Sequence, residues 1–120
     1  SDMKTDIKAR GFVLTEGLRS AVHRETVRLV QGLGRPILQI SVRLFDVNGA
    51  RRGGVDKGCL VHVHLADGVS VVGTDVGVDL YQSVADVFKK VLRAGRIRAD
   101  RRRSRRLRDR STIAHKMIPA

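Results

Sequence analysis

The chain has 120 residues, a length that suits one folded domain with a single modest core. Its 24 Lys and Arg residues against 12 Asp and Glu residues give a formal net charge of +12, which excludes an acidic protein and predicts polyanionic partners. The 42% of hydrophobic residues excludes wholesale disorder, the single cysteine excludes an internal disulfide, and no apolar run approaches the roughly 18 residues of a membrane span.

The first 45 residues predict a strand, a helix and a second strand. Residues 1–3 are interpreted as a cloning scar with a natural start, and alternating apolar residues in Asp6–Val13 predict a strand. Thr15 is a suitable N-cap for a helix over Glu16–Leu33, and a second alternating strand spans Ile37–Phe45. The positions expected to face the core are Ile7, Ala9, Leu18, Ala21, Val22, Leu29, Leu33, Leu38, Ile40, Val42 and Leu44.

The middle of the chain predicts a long loop followed by a hairpin. Asp46–Gly58 contains four glycines and no regular alternation, and it is expected to be a loop. Cys59–Ala66 and Val69–Thr74 alternate in the manner of strands, and Asp67-Gly68 between them is typical of a tight hairpin turn. Cys59 is expected to be a small core residue of the third strand.

The last predicted element is a helix. Asp79 is suited to cap its first turn, with Gln82 three residues later in a pattern close to a capping box. Gly95 is expected to end the helix, unless the basic residues that follow extend it. Its predicted apolar stripe consists of Leu80, Val84, Val87, Phe88, Val91 and Leu92.

A strongly basic segment follows this helix. Arg96 to Arg110 holds nine arginines, so like charges repel one another and little apolar surface offsets the entropy of ordering. We therefore expect residues 98–120 to form a flexible arm or a fraying extension of the helix. Such an arm gains affinity for RNA by releasing counterions, and the alternative is a solvated tail that aids solubility.

The element order predicts an α+β domain over residues 4–97. A β-α-β-β-β-α order builds two layers, a four-stranded sheet with two helices on one face. The expected protein is soluble and cytoplasmic and does not contact a membrane.

Signatures of catalysis and of cofactor binding are missing from the sequence. There is no phosphate-binding glycine loop and no nucleophile motif, so neither an enzyme nor a cofactor is expected. His62 and His64 share one face of the third strand, but no third ligand lies near, and an exposed or RNA-facing surface is expected instead of a metal site. Aromatic residues make up 3%, too few for a base-stacking platform, which favours folded or double-helical RNA as the partner.

Several short segments together resemble one protein family. The order and spacing of these segments are similar to those of the ribosome hibernation-promoting factors, also called ribosome-associated inhibitor A or sigma-54 modulation proteins. The arginine-rich end departs from the acidic or neutral tail of short members, and Thr26 stands where a larger apolar residue is expected. The segments are Ile7-Lys8-Ala9-Arg10-Gly11, Leu14-Thr15, Leu18-Arg19, Asp56-Lys57-Gly58-Cys59, Asp67-Gly68, Asp79-Leu80-Tyr81, Ser83-Val84 and Lys89-Lys90-x-x-Arg93.

The resemblance implies a fold like that of double-stranded-RNA-binding domains and a non-enzymatic role. It implies binding to the 16S-type RNA of the small ribosomal subunit, in the channel for messenger and transfer RNA, with repression of translation under stress. Lys90, Arg93 and Arg28 match basic positions of the family's two helices. The full set of candidate RNA-binding residues is Lys89, Lys90, Arg93, Arg96, Arg28 and Arg24.

Two other functions are compatible with the sequence. The first is a protein-interaction module that modulates a transcription factor of the sigma-54 type, or that forms a homodimer through Val27 and Val30. The second is a general double-stranded-RNA-binding domain without preference for the ribosome.

Overall fold

The computed structural model describes residues 3–46 and 57–117, which form one mixed sheet and two helices. In chain order the elements are β1 (Lys4–Arg10), α1 (Glu16–Leu33), β2 (Ile37–Asp46), β3 (Lys57–Leu65), β4 (Ser70–Gly77) and α2 (Leu80–Met117). The sheet order is β1-β2-β3-β4, with β1 parallel to β2 and both other neighbouring pairs antiparallel. The predicted two-layer α+β architecture is therefore confirmed.

A single hydrophobic core lies between the sheet and the helices. Strand residues two apart share a face, so every second residue of the central strands is buried against the helical layer. The other sheet face carries no helix within the described residues, and we call it the open face. The buried core residues include Leu18, Val22, Leu29, Ile40, Val42, Leu44, Val61, Val63, Leu65, Val71, Val84, Val87, Phe88 and Val91.

The first and last strands differ from their predicted bounds. β1 ends at Arg10 and not at Val13, because Gly11 has a φ of 90°, a left-handed conformation that breaks the extended chain. β4 continues to Gly77, three residues beyond its predicted end, because the pairing with β3 persists as far as Lys57.

Leu38 was predicted to face the core, and this prediction is wrong. The register between β2 and β3 shifts between Ile37 and Gln39, and such an irregularity redirects the side chain at the extra residue. Leu38 is consequently 56% exposed, whereas Ile40 two residues later is fully buried.

Both predicted helix caps form, but the predicted capping box does not. The Thr15 hydroxyl accepts a hydrogen bond from the Leu18 amide at 3.2 Å, and the Asp79 carboxylate accepts one from the Tyr81 amide at 3.0 Å. The Gln82 side chain donates to Asp86 at 3.0 Å and is not bonded to Asp79. Each helix therefore starts where its capping residue indicated.

Gly95 does not end α2, which continues to Met117. A Cβ atom at Gly95 would lie 2.8 Å from Leu33, and one at Gly32 would lie 2.9 Å from Leu92. The glycines thus let the C-terminal half of α1 approach α2 closely, which explains a glycine inside a helix. The helical backbone includes most of the predicted arm, and its mobility stays a prediction.

Some predictions fall outside the described residues. These are the cloning scar at residues 1–2, most of the predicted loop Asp46–Gly58, and the last three residues of the arm. Within the described ranges, neither helix combines the length and the apolar composition that crossing a bilayer requires.

Cys59 is completely buried in β3, as predicted, and this gives the protein a pH dependence at high pH. Burial, with a further contribution from Asp75, raises the pKa of the Cys59 thiol from 9.0 to about 12. Above about pH 9 the thiol ionises in the unfolded chain but stays protonated in the native protein. Ionisation stabilises the unfolded state, so the free energy of unfolding falls by up to about 1.4 kcal/mol per pH unit.

The measurement is the urea midpoint between about pH 8 and pH 10, compared with that of Cys59→Ala. The variant lacks the thiol, so its urea midpoint should fall less steeply with pH than that of the native protein. Equal pH dependence in the two proteins would contradict the assignment to Cys59.

Candidate nucleic-acid interface

The six basic residues singled out from the sequence are all exposed on the helical layer. On α1, Arg24 and Arg28 lie one turn apart, at a spacing that places them on the same flank of the helix. The other four lie within two turns of α2, along about 10 Å of its axis. We call this set the basic ridge, and it comprises Arg24, Arg28, Lys89, Lys90, Arg93 and Arg96.

One groove lies along the side of α2 next to β4. Lys89, Lys90 and Arg93 line it together with two carboxylates, Asp75 and Asp86. Its volume is about 420 Å³, and it is open to solvent. Three of the predicted cations therefore share one surface depression, in which the positive charges outnumber the negative ones.

A second, smaller groove lies between the two helices and connects their cations. Arg28 and Lys89 both line it, with a volume of about 100 Å³. Lys89 borders both grooves, so the ridge is continuous from the β4 side of α2 across to α1. The fold thus brings four of the six predicted residues, Arg28, Lys89, Lys90 and Arg93, to two adjoining grooves.

Two ridge cations are held by carboxylates of the same chain. Arg28 pairs with Glu25 at 3.0 Å, and Lys90 Nζ pairs with Asp75 at 2.7 Å. Both carboxylates are largely buried, with 11% and 18% of their side chains exposed, whereas both cations extend into solvent. A phosphate that binds Arg28 or Lys90 must therefore compete with an internal partner.

Arg96 has a structural role in addition to its exposed position. Its guanidinium donates from Nε and Nη2 to the Gly32 carbonyl, both at 3.2 Å. This carbonyl belongs to the last turn of α1, where helix carbonyls lack partners and cations are favourable. Arg96 therefore fastens α2 to the end of α1.

The remaining three ridge cations are available for an external anion. Lys89, Arg93 and Arg24 form no hydrogen bond or ion pair with any other residue in the described ranges. These three residues can therefore bind phosphate without breaking an internal contact.

Sequence reasoning missed the internal partners. Glu25 falls within the buried stripe of α1, so its position in the helical period was a usable signal. Asp75 had no such signal, because its contact with Lys90 depends on how α2 lies across β4. Thr26 is explained by its hydroxyl, which donates to the Val22 carbonyl at 2.8 Å inside α1.

Comparison with known proteins gives matches among solved structures. No protein-family model matches the chain, and no curated protein does. The N-terminal domain of Protein Y from Thermus thermophilus matches with a TM-score of 0.65 at 17% identity, over 78% of this chain and 97% of that one. The chain has the fold of the Protein Y N-terminal domain. A ribosomal subunit interface protein from Coxiella burnetii matches with a TM-score of 0.61 at 17% identity, over 77% of this chain and 92% of that one.

This Protein Y fold places the two histidines away from the ridge. His62 and His64 stack on the open face with ring centroids 3.9 Å apart, and His64 Nδ1 lies 3.0 Å from the Ser70 hydroxyl. Burial and the neighbouring His64 lower the pKa of His62. Among the described residues, no three His, Cys, Asp or Glu side chains converge in a metal-binding arrangement.

The Protein Y fold also leaves a groove between α1 and the edge strand β1. Val27 and Val30 line it and are 41% and 38% exposed. The homodimer suggested for these two valines stays a prediction.

Proposed function

We propose that the protein is a non-enzymatic ribosome-binding factor that occupies the channel for messenger and transfer RNA in the small subunit. Occupancy of that channel excludes both RNAs sterically and represses translation, as in hibernation under stress. The action requires shape and charge but no chemical step, and its place is the cytoplasm.

The observation that carries the proposal is the basic ridge, three of whose cations have no partner among the residues that the structure describes. Lys89, Arg93 and Arg24 have no partner among the described residues, so they bind phosphate without breaking an internal contact, and the release of counterions from the RNA favours binding. The chain has few aromatic residues for stacking on loose single strands, so the ridge suits the backbone of folded RNA. The fold shared with the Coxiella ribosomal subunit interface protein supports the ribosome as the source of that RNA.

The experiment is co-sedimentation of the full chain with purified small ribosomal subunits over a range of salt concentrations. If all six ridge cations meet a phosphate, the logarithm of the affinity should fall with a slope of about −5 against the logarithm of the salt concentration. A folded protein that stays in the supernatant at low salt contradicts the proposal. Equal affinity for a free RNA duplex would instead favour a general double-stranded-RNA binder.

Removal of the two internal carboxylates should strengthen binding. Glu25→Gln and Asp75→Asn free Arg28 and Lys90 from ion pairs of the kind worth up to about 1 kcal/mol, so each change should raise affinity about 2- to 5-fold. The control is Asp6→Asn, which removes an exposed carboxylate of β1 away from the ridge. If all three variants bind subunits equally, Arg28 and Lys90 do not contact the RNA.

A further inference from the structure

Along one face of α2, the side chains change from aliphatic to basic. Leu80, Val84, Val87 and Val91 recur every three or four residues and pack in the core under α2. Continued at the same spacing, this stripe reaches Ala94 and then three arginines, Arg98, Arg101 and Arg105. The core-facing stripe of α2 thus turns from aliphatic to arginine along a single helix.

The change occurs where the sheet ends. The Arg98 guanidinium donates to the carbonyl of Ser70, the first residue of β4. Among the described side chains beyond Arg98, Arg101 and Arg105 are exposed and form no hydrogen bond or ion pair. The helix runs on for about 28 Å from Arg98 to Met117.

These arginines lie on the opposite side of α2 from Lys89 and Arg96, whereas Lys90, about 80° around the helix from Leu80, lies on the same side as Arg101. At about 100° per residue, Lys89 is about 180° around the helix from Leu80, whereas Arg98 returns to the direction of Leu80. Arg101 and Arg105 lie within about 60° of that direction by the same rule. One flat RNA surface therefore cannot contact Lys89 and Arg98 simultaneously.

We propose that Arg98, Arg101 and Arg105 form a second RNA-binding surface, so that one molecule holds two RNA segments on opposite sides of α2. The proposal rests on the function proposed for the ridge and adds a separate site. Guanidinium groups bind phosphate in a bidentate manner, and a row of them along a helix follows a phosphate backbone. A membrane is disfavoured because the exposed apolar residues nearby do not form one apolar face: Ile97 lies next to Arg101, and Leu107 lies on the other side of the helix.

The test is the stoichiometry with a short RNA duplex, measured by native mass spectrometry and calorimetry on the full chain at low salt. With a duplex of about 16 base pairs, the length that a double-stranded-RNA-binding domain spans, we expect two duplexes per protein. The variant R98Q/R101Q/R105Q should bind one. The variant R101Q/R105Q keeps the Arg98 contact with Ser70, and it should bind the second duplex at least fivefold more weakly.

The matched control, which has the same loss of charge, is K4Q/R10Q/R43Q on the open face, and it should keep two duplexes. One duplex per native molecule, or two on the R98Q/R101Q/R105Q variant, would overturn the proposal. If small subunits fail to bind while two duplexes still do, the ribosomal function is wrong and the second surface stands.

Discussion

Replacement of Lys89 and Arg93 by glutamine is expected to weaken binding to small ribosomal subunits about 50-fold at about 0.1 M salt. Both side chains line the groove beside β4, and neither has an internal partner in the described ranges. Each lost phosphate contact removes the release of about 0.9 counterion, which is worth nearly a factor of eight at that salt concentration. Because both residues are exposed, the fold should be unaffected.

The measurement is subunit affinity against salt concentration for the K89Q/R93Q variant. Its log–log slope should be flatter than that of the native chain by about two. The control K4Q/R43Q loses the same charge on the open face and should bind nearly as well as the native chain. If the two variants lose affinity equally, net charge and not the ridge is responsible for binding.

Gly73→Val is expected to lower the free energy of unfolding by about 3 kcal/mol. A Cβ atom at Gly73 would lie 2.7 Å from Cγ2 of Val91, and 3.6 Å from the backbone oxygen of Val87. The Val91 side chain is enclosed in the core, and the Val87 carbonyl belongs to α2 itself, so the helix has to move away from β4. The same displacement would move Lys90 away from Asp75 and alter the ridge.

Urea unfolding of the variant measures the loss, and Thr74→Val is the matched control. Thr74 is the next residue of β4 and is exposed on the open face, where valine suits a strand. A midpoint for G73V equal to that of T74V would show that α2 does not pack on β4 as closely as described.

The helices were the most predictable part of the fold. Thr15 and Asp79 indicated both helix starts, because a capping side chain and the first-turn amides lie within three residues of each other. The helix end at Gly95 was not predictable, since glycine is equally suited to ending a helix and to admitting a neighbouring one. Only the contact with Leu33 distinguishes these roles.

The candidate site was predictable in its residues but not in its electrostatics. Charge and spacing identified Lys89 and Lys90 as neighbours on one helix. They did not reveal that Lys90 is paired with Asp75, 15 residues away in the chain, while Lys89 has no partner in the described ranges. That difference sets which of the two cations binds phosphate without competition.

The sequence by itself determined the element order, the excess of positive charge and, apart from Leu38, the core-facing stripes, because these depend on residue type and on the local periods of helix and strand. The tertiary structure alone decided that the cations of α1 and α2 lie near one another, which of them are paired with buried carboxylates, and where the sheet ends beneath α2. These properties depend on contacts between residues distant in the chain, such as Arg98 with Ser70, and no local pattern encodes such contacts.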